Sequence, residues 1–390
     1  MKNKYIWLLG ASHALTDTNQ GSLPVILPYL VAAGGISYTG AAGLSFAVAF
    51  SSSIIQPLFG IWADKVSLNW LMPAGILLAG LCMSLIGVLH DHYWLMFAVA
   101  ILCGIGIAAF HPEAARMANQ LSGRKKGGGM SIFSVGGNIG FALGPALATP
   151  ALVYAGVSGT LVLAVPAITM FVLLTINASR MRTAADSSVA EERAAAPAGV
   201  AAVNEWGKFC WLTVAIIARS VLFHNFNTFL PMYWVRVLGQ SNAATGGILT
   251  LMFAIGALST LAGGQLADRF GANAVTRVGT VLMIPALFLF TRATNPALAM
   301  ASMIFFACSS FIITTPMVVL GQKYLPGSLG LASGVTLGLG ISVGGMVSPL
   351  IGRYADANGL LATYRLLAFL PIVAALVTLT LKRPATETSR

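Results

Sequence analysis

Two ionisable residues sit where this apolar chain can least tolerate charge. At ~1.5 Å of helical rise per residue, Asp17 lies about 18 Å into the run that begins at Tyr5. His13 is one helical turn before it and Gln20 about one turn after, so the three share a face. Arg219 lies ~16 Å beyond Lys208 by the same rise, and His224, Asn225 and Asn227 follow it. An ionised side chain at the centre of a bilayer costs ~2.5 kcal/mol or more, so charges kept at that depth are expected to bind or relay charge. We expect Asp17 and Arg219 to face each other across a central cavity, with His13 and His224 in reach, as a pair that can exchange a proton or an anionic ligand. The alternative is a fixed ion pair that only holds two bundles together.

A second group carries chemistry closer to a helix end. Glu113 and Arg116 are spaced i, i+3 just after His111 and Pro112. Read functionally, Glu113 and His111 are proton sites; read structurally, Glu113 and Arg116 form a latch with the loop at Asp64. Asn138 is an isolated polar residue in a glycine-rich run and is a candidate cavity-lining group. Asp64 with Lys65 and Asp268 with Arg269 fall at helix ends, where a carboxylate can accept from a neighbouring helix N-terminus, and are read as gates.

The elements that position these residues follow from composition. Hydrophobic residues make up 57% of 390 and charged residues 8%, too little polar material to cover a water-facing surface. Twelve apolar stretches, roughly 6–30, 40–62, 70–89, 94–118, 128–154, 159–177, 209–235, 244–266, 274–292, 296–322, 328–354 and 364–381, are long enough to cross a ~30 Å hydrocarbon layer as helix. They show no period-2 alternation, which excludes a β-barrel. Sliding the chain by 204 residues lays Gly43 to Pro145 on Gly247 to Pro349 without a gap, so that GIWADK at Gly60 falls on GQLADR at Gly264. The chain is a duplicated unit, predicted as an N-terminal six-helix bundle over 1–177, a cytoplasmic linker over 178–206, partly helical or disordered, and a C-terminal six-helix bundle over 207–390.

Basic residues set the expected orientation. Most of the 22 Lys and Arg, including the Arg124-Lys125-Lys126 cluster, Arg180, Arg182, Lys323 and Lys382, fall on one side if both termini are cytoplasmic. That distribution explains the net charge of +11 as basic loops against anionic lipid, and nucleic acid is not an expected partner. The first apolar run carries Asp17 and continues to Tyr29, unlike a cleaved signal peptide. The four cysteines lie in or beside spans at irregular spacing, which indicates neither a disulfide framework nor a metal site.

Several strings carry a family resemblance. The GxxADK/R pattern after the second and eighth spans resembles the signature of the major facilitator superfamily, twelve helices in two six-helix bundles. SHALTDTNQ at Ser12, FHPEAARMA at Phe110, SIFSVGGNIGFALGP at Ser131 and YLPGSLGLASG at Tyr324 resemble, more narrowly, the fosmidomycin resistance proteins, a drug-efflux branch of that superfamily. The resemblance implies proton-driven export of a small anionic antibiotic or related amphiphile from a bacterial inner membrane, by antiport. Two departures stand out: Asp64-Lys65 is followed by Val-Ser-Leu-Asn where the signature continues with Gly and basic residues, and Ala100 stands where drug exporters often place an Arg.

An enzyme is not expected. Gly127-Gly128-Gly129 after Lys126 lacks the GxxxxGK[ST] pattern of a phosphate cradle, and neither cofactor nor metal is called for. The expected partners are a small-molecule substrate, protons and the lipid bilayer, acting on a functional monomer. His13, Arg219 and His224 against Asp17, with Phe226, Phe229, Tyr233 and Trp234 nearby, suit a small anion in an aromatic-walled cavity; import of an organic anion by proton symport is the alternative.

Overall fold

The computed structural model describes residues 4–65, 70–122, 126–193, 204–326, 328, 331–332, 335–336 and 340–382. The described residues are helical with no strand, as a chain whose backbone polar groups must be satisfied within each segment requires. The helices are α1 (Lys4–Gly34), α2 (Tyr38–Lys65), α3 (Leu71–Leu85), α4 (Tyr93–Ser122), α5 (Lys126–Ala155), α6 (Ala164–Arg193), α7 (Trp206–Arg236), α8 (Asn242–Phe270), α9 (Ala272–Arg292), α10 (Pro296–Ile312), α11 (Thr314–Tyr324), α12 (Gly340–Asn358), α13 (Leu360–Leu367) and α14 (Leu370–Thr380). A 3-10 turn over Gly156–Leu163 precedes α6.

Twelve crossings account for these elements. The tenth is split into α10 and α11, and the twelfth into α13 and α14, where the sequence alone predicts continuous spans. Proline contributes to the first split, since Pro316 has no N–H to offer the carbonyl of Ile312 and the ladder opens at Ile313, although Pro112 at the same repeat position lies within a continuous α4. Large apolar side chains such as Leu58, Val165, Ile176, Leu258, Leu350 and Phe369 remain exposed, as a lipid-facing surface requires.

The chain divides into two compact units, Met1–Ala198 with Asn242–Thr250, and Gly199–Ser241 with Leu251–Arg390. In the first, α1 is unusually polar for a membrane helix. Ser12, Thr16, Thr18 and Ser22 are all buried, and each hydroxyl donates to a carbonyl of the preceding turn of the same helix. Asn19 does the same through its amide. These hydroxyls are satisfied within α1, whereas Asp17 and His13 find partners on other helices.

Glycines at every fourth position of α5 let that helix approach α1 at backbone distance. A Cβ at Gly136 would overlap the carbonyl oxygen of Gly10, one at Gly140 that of Ala14, and one at Gly144 the backbone at Gly21 and Ser22. In the second unit the pseudo-equivalent Gly344 meets the Ser220 carbonyl and the His224 side chain, and its N–H donates to Ser220 Oγ at 3.0 Å.

The core of the first unit gathers Ile6, Leu9, Phe110, Met117, Leu121 and Phe133. Met181 and Ala185 belong to the same cluster, so α6 is packed beyond Asn177 and runs to Arg193. The core of the second unit is aromatic: Phe226, Phe290, Phe306, Tyr233 and Tyr364 interlock, and Tyr364 Oη donates to the Phe226 carbonyl at 2.8 Å. Phe226, Phe229, Tyr233 and Trp234, expected to wall a cavity, are at most 1% exposed and form this core.

Candidate functional site

The first unit builds a polar centre from three helices. Asp17 is 5% exposed and lies between two imidazoles: Asp17 Oδ2 is 3.2 Å from His13 Nε2 and Asp17 Oδ1 is 3.1 Å from His111 Nε2. The two Nε2 atoms are themselves 3.2 Å apart. His13 and Asp17 share an α1 face by their i, i+4 spacing, as the sequence predicts. His111 arrives from α4, 94 residues on, a partnership the sequence did not reveal.

Both rings are held from behind by backbone. His13 Nδ1 donates to the Phe133 carbonyl of α5 at 2.7 Å, and His111 Nδ1 donates to the Ile107 carbonyl of α4 at 3.0 Å. A carbonyl oxygen can only accept, so both Nδ1 atoms carry hydrogen and both Nε2 atoms are turned toward the carboxylate. His13 is further clamped by the Phe133 ring, stacked at 4.1 Å between centroids. Gly137 completes the wall, since a Cβ there would stand 2.7 Å from His13 Cε1 and 2.8 Å from Asp17 Oδ2.

Glu113 and Arg116 form a separate bidentate pair on α4. Arg116 Nε donates to Glu113 Oε2 at 3.0 Å and Arg116 Nη2 to Glu113 Oε1 at 2.5 Å, with Glu113 wholly buried. Gln20 and Asn138 are partly buried, and neither bonds to the triad among the described residues. The side chains of Asp64 and Lys65 lie outside the described residues. Asp268 and Arg269 are exposed at the end of α8.

The second unit carries the opposite charge at almost the pseudo-equivalent place. Arg219 of α7 donates from Nε to the Ser310 carbonyl at 3.2 Å and from Nη2 to Thr314 Oγ1 at 2.8 Å. Those partners flank the break between α10 and α11, where the last carbonyls of a helix carry negative partial charge. Subtracting 204 places Arg219 on Leu15, two residues from Asp17, and Thr314 on Phe110, beside His111. The same pair of repeat-related helices thus holds an acid among bases in one half and a base among neutral acceptors in the other.

Among the described residues no carboxylate of its own half reaches Arg219, which also lies 5.5 Å from the Phe223 ring centroid. The second unit also keeps, among the described residues, polar atoms that are buried and unpartnered: His224 Nε2, Asn225 Oδ1 and Asn227 Oδ1 further along α7, and Ser310 Oγ of the residue whose carbonyl Arg219 meets. Such groups are costly unless something else satisfies them. Ser310 and Thr314 carry no charge and follow no motif, which is why the sequence alone passed over them.

The comparisons agree with this architecture. The chain is 31% identical over 382 residues to the uncharacterized MFS-type transporter YfnC of Bacillus subtilis (strain 168), covering 95% of this chain and 90% of that one. It is 27% identical to the fosmidomycin resistance protein of Escherichia coli (strain K12), covering 95% and 91%. Among solved structures it resembles an inward-facing bacterial homolog of the human lysosomal transporter Spinster, at a TM-score of 0.78, 15% identity and coverage of 98% and 97%. A D-xylose-proton symporter gives a TM-score of 0.76 at 16% identity, each chain 97% covered. With a duplicated twelve-span helical fold and the Major Facilitator Superfamily model matching residues 9–349, this multi-pass membrane protein belongs to that superfamily.

Proposed function

We propose that this protein is a secondary active transporter that exports a small anionic or amphiphilic drug, of which fosmidomycin is the model, in exchange for protons. The observation that carries the reading is Arg219: a cation within a membrane span, bound among the described residues by a carbonyl and a hydroxyl at a broken helix, in a unit that also keeps buried unpartnered polar atoms on the same helix. Discontinuous helices whose opened backbone and polar side chains meet at mid-membrane are a common way for transporters to hold an ionic ligand. A substrate phosphonate or carboxylate would accept from the Arg219 guanidinium and the Thr314 hydroxyl, with Ser310, His224 and Asn227 available to its other polar atoms. The relative named for fosmidomycin resistance supports that substrate class.

The N-terminal half supplies the ion that couples. His13, Asp17 and His111, and next to them Glu113, are the groups that can accept a cation there, and Gln20 and Asn138 belong to the same wall of the substrate path. Asp17 and Arg219 act from opposite halves of an alternating-access cycle, while Asp64, Lys65, Asp268 and Arg269 gate it without choosing the substrate. The chain lies in the bacterial cytoplasmic membrane with both termini inside, works as a monomer, and neither catalyses a reaction nor carries a cofactor.

Everted membrane vesicles with an imposed pH gradient, acidic inside, test this reading. Fosmidomycin accumulation accompanied by proton release from the lumen supports exchange. Accumulation only when drug and protons move together would replace it with symport, and no flux of either would overturn transport of this class.

A further inference from the structure

The arrangement of His13, Asp17 and His111 is that of a metal site. We propose that this triad binds one first-row divalent transition cation of the Zn²⁺ type, through Nε2 of each imidazole and the Asp17 carboxylate. The inference rests on reading the triad as a cation-accepting centre and goes beyond protons as its occupant.

Three observations carry it. First, the donor set is two imidazoles and one carboxylate, each able to offer a ligand atom, all within 4.8 Å of one another. That combination of nitrogen and oxygen donors suits borderline divalent ions. Second, the spacing fits: the two Nε2 atoms are 3.2 Å apart and the facing carboxylate oxygens 3.1 and 3.2 Å from them. With Zn–N of ~2.05 Å, a nitrogen separation of that size corresponds to an angle of about 100° at the metal, between the octahedral and tetrahedral values.

Third, the outer contacts are those that prepare histidine for a metal. Each ring donates its Nδ1–H to a backbone carbonyl, Phe133 behind His13 and Ile107 behind His111. That bond fixes the tautomer that leaves Nε2 with its lone pair directed inward and raises the ring's power as a ligand. Without a proton or a metal between them, two such lone pairs and a carboxylate at these distances would only repel. Phe133 stacked on His13 fixes that ring against the site, and Gly137 leaves the room that His13 and Asp17 occupy. Three protein ligands leave at least one coordination position open, which distinguishes such a site from a closed structural one.

The ligands come from α1 and α4 within one unit, so a bound ion would pin these helices together and compete with protons for the same lone pairs. Zn²⁺ should therefore slow proton-coupled flux.

The test uses the full-length protein, purified with a tag free of histidine and reconstituted in nanodiscs, without substrate or pH gradient. Titration with Zn²⁺ by calorimetry, and with Co²⁺ by visible absorption, should give one equivalent per chain. Asp17→Asn and His111→Ala should each weaken that binding by at least the ~10–100-fold that losing an outer contact costs a metal site. The variant His90→Ala/His92→Ala, which removes the loop histidines flanking Asp91, should leave it unchanged. No stoichiometric binding to the folded wild-type protein overturns the proposal. So does binding that survives His111→Ala and Asp17→Asn, or is lost with the loop histidines. If one triad variant does not fold, the other carries the same comparison. Because binding is read without substrate, it can fail while the anion-export reading stands, and hold while that reading falls.

Discussion

A single added methyl at Gly140 or at Gly137 should damage the protein in two different ways. At Gly140 the new Cβ would overlap the carbonyl oxygen of Ala14, a backbone atom of α1 that no rotamer can move. The helices must part, and overpacking of this kind costs about 1–3 kcal/mol. With an unfolding entropy of ~2.1 cal/mol/K per residue over the whole chain, that cost lowers the melting temperature by roughly 1–4 °C. At Gly137 the Cβ would instead stand 2.7 Å from His13 Cε1, 2.8 Å from His13 Nε2 and 2.8 Å from Asp17 Oδ2, all side-chain atoms. Restoring ordinary contact at ~3.5 Å requires the imidazole and carboxylate to retreat by about 0.7 Å. The backbone packing survives and the triad does not. Thermal unfolding of purified Gly140→Ala and Gly137→Ala, set beside their transport rates in proteoliposomes, separates the two effects. Gly137→Ala should melt within about 1 °C of wild type and lose at least about tenfold in rate, since displacements near 1 Å can cost more than that at a working site. Wild-type flux in Gly137→Ala, or a lower melting temperature than that of Gly140→Ala, would refute the assignment of Gly137 to the site and Gly140 to the scaffold.

Other perturbations test the remaining parts. Thr314→Val removes the hydroxyl that accepts from Arg219, and drug affinity measured by equilibrium binding should fall about tenfold or more, given ~1.5–3 kcal/mol for a hydrogen bond to a charged group; Thr314→Ser should keep it. Pro316→Ala restores an N–H to the Ile312 carbonyl and should close the gap between α10 and α11, which shows as lost transport without lost thermal stability. The repeat-related Pro112→Ala, in a helix already continuous, should change transport far less. Glu113→Gln alone should lower the melting temperature, because it leaves Arg116 facing a wholly buried neutral partner. The double replacement Glu113→Leu/Arg116→Met should recover part of that loss, as paired removal of buried charges does.

Architecture was legible because it depends on properties summed over many residues. Apolar run length sets where helices cross, and the 204-residue offset between Gly60-Ile-Trp-Ala-Asp and Gly264-Gln-Leu-Ala-Asp exposes the duplication. Breaks within spans were harder to see: Pro112 and Pro316 occupy the same repeat position, yet only the second opens its helix. The acid and the base at depth, Asp17 and Arg219, were visible as charges in apolar sequence, and the i, i+4 relation of His13 to Asp17 follows from helical periodicity. What periodicity cannot supply is the third dimension. His111 joins Asp17 only because α4 lies against α1, and the neutral partners of Arg219 are a carbonyl and a hydroxyl indistinguishable in sequence from dozens of others. The aromatic residues of α7 mislead for the same reason, since composition alone cannot tell a core from a cavity wall.

Direct binding of fosmidomycin to purified wild-type protein and to Arg219→Gln tests the central claim that a part-buried guanidinium, held among the described residues by neutral groups, binds the proposed anionic substrate. The account predicts saturable binding to the wild type and a loss of at least tenfold in Arg219→Gln, with Asp268→Ala unchanged. Equal affinity in wild type and Arg219→Gln, both folded, would contradict it.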